Sequence, residues 1–213
     1  MRSVEPIPGN PWPHEMTITV EDRPMQVLEL LWLREAHALH PRGDDLPPPL
    51  VATPAPAAAV ADDVTRAEWE GAWAGVWREV VEHAGREHDL RLFERIRATA
   101  DGSPERESLL RELVGPSWSD RFDASVFQDP SYLEWERSGM DALRATNRGA
   151  LEDDPERRDL EALVLAWRRG LTKIVTIPCR GEWNRRIGPN ALLVTADTRA
   201  DSDAYRLALT SFA

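Results

Sequence analysis

One cysteine, Cys179, stands in 213 residues, and one lysine, Lys173, among 26 basic side chains. A single thiol excludes an internal disulfide framework and a cysteine-rich zinc module. No apolar stretch approaches the roughly 18 residues that read as a membrane-spanning helix. The opening Met1-Arg2-Ser3-Val4-Glu5-Pro6 lacks the apolar core of a secretory signal, so a cytoplasmic protein is expected. Phosphate-cradling glycine loops, dinucleotide fingerprints, Gly-x-Ser-x-Gly elbows and internal repeats are all missing, and no cofactor is implied. Positive charge is scarce too: 26 basic against 37 acidic residues leave a net −11. That balance disfavours nucleic acid and anionic membrane surfaces as partners.

What is present reads as an ordinary globular composition, 42% hydrophobic and 30% charged, on a chain long enough to bury a core. Four prolines, at 6, 8, 11 and 13, mark residues 1–15 as an irregular arm. Residues 16–213 are expected to form one α+β domain, interrupted by a proline-rich connector at 41–61. With prolines at 41, 47, 48, 49, 54 and 56, that connector reads as a semi-rigid linker, dispensable for folding.

The elements follow from periodicity. Met16–Val20 alternates as a short strand, and apolar residues recur helically from Met25 to Leu39. Asp62 or Asp63 caps a tryptophan-rich helix to about Ala84. Along it Trp69, Ala72, Trp73, Val76, Trp77, Val80, Val81 and Ala84 keep to one face, as a core-facing helix requires. Further helices are expected through Leu90–Arg97, from Ser103-Pro104 to Gly115, from Pro130 to about Ala150 with Leu133, Met140 and Leu143 inward, from Pro155 to Gly170, and after Asp201. Lys173–Ile177 and Ala191–Thr195 read as buried strands. The predicted fold is therefore predominantly helical α+β, with about six helices against a sheet of two or three strands formed by the two chain ends. The sheet is expected as one layer and residues 62–170 as the other.

Several groups of residues invite a chemical reading. His37 and His40, three apart at a helix end, are weak metal candidates because nothing completes the ligand set. Cys179 follows a strand with Arg180 beside it, and positive neighbours lower a thiol's pKa. A catalytic role would need a base such as His83 or His88. Between Arg157 and Arg186, eight basic residues meet three acidic ones, a net +5, whereas residues 1–156 carry 16 basic against 31 acidic. Within that island Arg180, Trp183, Asn184, Arg185 and Arg186 lie in the connection between the two C-terminal strands. Guanidinium forks grip carboxylate or phosphate, and an indole offers a stacking face. The leading expectation is a non-enzymatic binding protein using residues 180–190 against an acidic protein partner or small anion. The alternative is an enzyme on a small acidic or phosphorylated metabolite, with Cys179 or a histidine as its reactive group. The competing expectation is that Arg185 and Arg186 pair with the protein's own acidic body and hold the sheet to the helices.

Overall fold

A computed structural model describes residues 11–59, 61–87, 90–146 and 154–212. Most of the arm at 1–15, together with His88 and the expected helix end at 147–150, lies outside these. Strand β1 (Thr19–Glu21) leads into helix α1 (Met25–Ala36), and the proline-rich connector follows. Next come α2 (Asp63–Ala84), α3 (Leu90–Ala98), α4 (Pro104–Val114), two 3-10 turns at Trp118–Asp120 and Ala124–Gln128, and α5 (Pro130–Thr146). The chain ends with α6 (Pro155–Arg158), α7 (Leu160–Arg168), β2 (Lys173–Ile177), β3 (Asn184–Ile187), β4 (Ala191–Thr195), α8 (Ala196–Ala200) and α9 (Ser202–Leu209). The protein is thus predominantly helical α+β, with nine helices and four strands among the described residues.

Local chemistry sets the boundaries. Asp62 accepts a hydrogen bond from Thr65 N and caps α2, and Ser103 does the same for α4 through Arg106 N, satisfying amide groups a helix start leaves open. Gly115 ends α4 at φ 77°. Any side chain there would meet the His83 ring, so the position needs glycine for both its conformation and its space. The single helix expected from Pro155 to Gly170 is instead two, broken at Asp159. Its carboxylate is fully buried and takes bonds from Arg158, Arg206 and Ser202.

The sheet order is β1-β2-β4-β3. Strand β1 runs parallel to β2 and β2 to β4, while β3 is antiparallel to β4. The expected pairing of the N-terminal strand with the C-terminal ones is present, and β3 is an addition. The two-layer arrangement is corrected, because the sheet lies between two helical layers. Val175, Ile177, Ala191 and Leu193 pack with α1, α2 and the turns near Trp118 and Phe127. Ile174, Leu192 and Val194, pointing the other way, pack with α7, α9, Met16 and Ile18. A strand buried on both faces is apolar at every position, which is why β2 and β4 read as continuous runs.

The connector differs most from expectation. It is a strap fastened over α1 and the end of β2. Arg34 donates to the Pro47 and Pro48 carbonyls, Glu35 accepts from Leu50 N, and Ala57 N reaches Ala36 O. Leu50 bridges Cys179, Val51 N bonds Pro178 O, and Arg180 N bonds Pro49 O. Leu50 is fully buried. Because the strap closes over it, α1 buries Val27, Leu28, Leu30, Leu31, Trp32 and Leu33 on all sides.

Candidate functional site

The open end of such a sheet, beyond the carboxyl ends of its parallel strands, is the usual place for a ligand. Here that end is filled. After β1, Asp22 meets Arg199 of α8 at 3.0 Å, and Arg199 also clasps Glu156 through two bonds of 2.9 and 2.6 Å. Tyr205 donates to the same carboxylate, and the pairing with Arg199 holds Glu156 down at about 2 despite its burial. Beyond β2, the strap covers Cys179, whose side chain has no exposure and whose thiol burial pushes up to about 12. The nearby guanidinium of Arg34 opposes that rise without overcoming it. Burial of this kind keeps a thiol protonated and works against a nucleophilic role.

His37, His40 and His83 each have partners of their own. His37 is buried between the rings of Trp32 and Trp69, at 5.6 and 5.0 Å, and burial holds its pKa below the usual imidazole value. His40 is exposed, with its backbone N–H on Glu70. His83 bonds the Leu113 carbonyl at 3.3 Å. Among the described residues, no group of three or more histidine, cysteine or carboxylate side chains could hold a metal ion. No described helix is long and apolar enough to cross a membrane.

The basic island divides into two parts. Several members bond within the chain: Arg158 pairs with Asp159, the buried Lys173 with Glu21 at 2.8 Å, and Arg180 donates to Leu50 O and Thr53 Oγ1. Trp183 is half-buried against the core, its backbone N–H on Thr198 Oγ1. Asn184, Arg185 and Arg186, expected in a loop, form β3 instead. This strand lies at the sheet edge, and among the described residues no other strand pairs with its outer side. Its register places Arg185 opposite Leu193 and Arg186 opposite Leu192, so the two guanidinium groups stand on opposite faces of the sheet. Arg185 reaches Asp45 of the strap at 3.4 Å, and that carboxylate is 70% exposed. Arg186 donates to Pro189 O and lies 4.3 Å over the Phe212 ring.

Sequence reasoning missed β3 because Asn-Arg-Arg-Ile has little β propensity. A signal was there in the three residues Gly188-Pro189-Asn190 before an apolar strand, with Gly188 at φ 64°, a hairpin loop with glycine at its left-handed position. No family model matches the chain, and no curated protein or solved structure matches it.

Proposed function

We propose that the protein is a non-enzymatic binding protein that takes an extended acidic segment of a partner protein along β3. The observation that carries this reading is the pair Arg185 and Arg186 on opposite faces of an edge strand. An edge offers unpaired main-chain donors and acceptors to an incoming strand, which supply affinity without side-chain selectivity. Selectivity comes from the arginines. Neighbouring residues of an added strand also face opposite ways, so two consecutive carboxylates meet one guanidinium each.

A second copy of this chain would set arginine against arginine at the same edge, which disfavours self-pairing. The Arg185–Asp45 contact is a long, exposed ion pair, and such pairs contribute little, so a partner carboxylate displaces Asp45 at small cost. The sealed Cys179 and the ion pairs beyond the carboxyl end of β1 support a binding role over the enzymatic alternative.

The test is fluorescence anisotropy with a labelled hexapeptide of β-branched residues around a central Glu-Asp pair. Wild-type protein should bind it. Changing Arg185 and Arg186 together to glutamine should weaken binding by more than about tenfold while leaving the melting temperature nearly unchanged. Undiminished binding by the double variant contradicts the proposal. So does a melting temperature that falls in the variant and recovers with salt, which would assign both arginines to the protein's own charge balance.

A further inference from the structure

We propose that a cleft beside β1, at the opposite edge of the sheet from β3, binds a compact zwitterion with an apolar body, the chemistry of an aliphatic amino acid. The cleft has a volume of about 180 Å³ and lies between the start of α1, the ends of α2 and α4, and the first residue of β2. Drug-sized sites run to about 300–1,000 Å³, so this one suits a small ligand. Its walls include Val27, Val80, Leu92, Leu113 and Val114.

The polar groups left over decide the ligand. Lys173, the one lysine of the chain, is 2% exposed and its ammonium lies 2.8 Å from Glu21 Oε2 and 3.3 Å from the Arg86 carbonyl. An ammonium has three donors, and these two contacts leave one for a ligand carboxylate. Glu21 is the ion-pair partner of that ammonium, and a carboxylate with two oxygens has room for a further donor. Glu112, on the last turn of α4, lines the same cleft and is exposed. Other charged groups there are already engaged: Arg86 with Glu82, and Glu87 with Thr172 and Asn190.

A simple anion would meet Glu21 and Glu112, and a simple cation would meet the buried ammonium. A ligand carrying both charges satisfies each, its carboxylate on Lys173 and its ammonium between the two glutamates. The apolar walls take the side chain. This reading does not depend on the docking role of β3.

Isothermal titration of the full chain with L-leucine tests it, with isoamylamine and 4-methylpentanoate as the amine-only and carboxylate-only counterparts. Leucine should bind, and each fragment should bind about tenfold or more weakly, the factor carried by a hydrogen bond to a charged group. Replacing Lys173 risks unfolding the chain, so the deciding variant is Glu112→Gln on the exposed rim. It should weaken leucine several-fold and leave 4-methylpentanoate binding no weaker, since a repelling carboxylate has been removed. No heat with leucine at millimolar concentration, a fragment binding as tightly as leucine, or equal leucine affinity in Glu112→Gln would each overturn the proposal.

Discussion

Trp73 is fully buried, stacks on Trp77 at 5.2 Å between ring centroids, and donates its indole N–H to the Leu30 carbonyl. Its inward position was legible because tryptophans at i, i+4 and i+8 share a helix face, and only Trp69 at the end of the stripe is half-exposed. Truncating Trp73 to alanine should cost about 3–5 kcal/mol in thermal or denaturant unfolding. An unchanged melting temperature would mean that the stripe is not core.

Glu29 was not legible in this way, since nothing in the sequence says that α1 is covered on every side. Burial pushes its carboxyl up to about 7. A group whose folded pKa is raised adds stability below its unfolded pKa and loses that contribution as pH rises through the folded one. Glu29 is therefore a burden above about pH 7. Glu29→Gln should raise stability at pH 8, and the gain should fade as pH falls toward 4.5. A gain of equal size at both pH values would contradict the assignment.

Helix ends were readable because a cap needs only one side chain three residues from its target. Asp62, Ser103 and Asp201 all occupy the expected positions. Inward faces were less readable on α5. Leu133 of α5 is 45% exposed, and Tyr132 beside it is the residue that reaches the core. The strap was misread for a physical reason. Proline removes a donor but keeps its carbonyl, and the carbonyls of Pro47, Pro48, Pro49 and Pro178 all accept hydrogen bonds here. An irregular segment can thus be pinned by arginine donors and neighbouring amides without joining a ladder. Limited proteolysis should leave the bonds between Pro47 and Ala57 intact in the wild type and cut them once Arg34→Ala removes the two guanidinium anchors. Ready cleavage in the wild type would return the segment to the status of a linker.

At the scale of the molecule, the basic island and the acidic remainder are folded into each other. Lys173 and Arg185 each contact a carboxylate outside the island, Glu21 and Asp45. A sequence lists charges and not their distances, so this partition between internal and outward-facing arginines was not readable from it. At β3 two guanidinium groups stand on an edge strand whose outer side no other described strand pairs. Binding there should weaken as salt rises, because rim charges are screened over about 10 Å at 0.1 M. Hydrogen exchange of the β3 amides, with and without the Glu-Asp hexapeptide, tests the docking account most directly. The account predicts that added protection concentrates at residues 184–187 and disappears when Arg185 and Arg186 are changed to glutamine. Protection confined to other elements, or none at peptide concentrations that saturate binding, would contradict it.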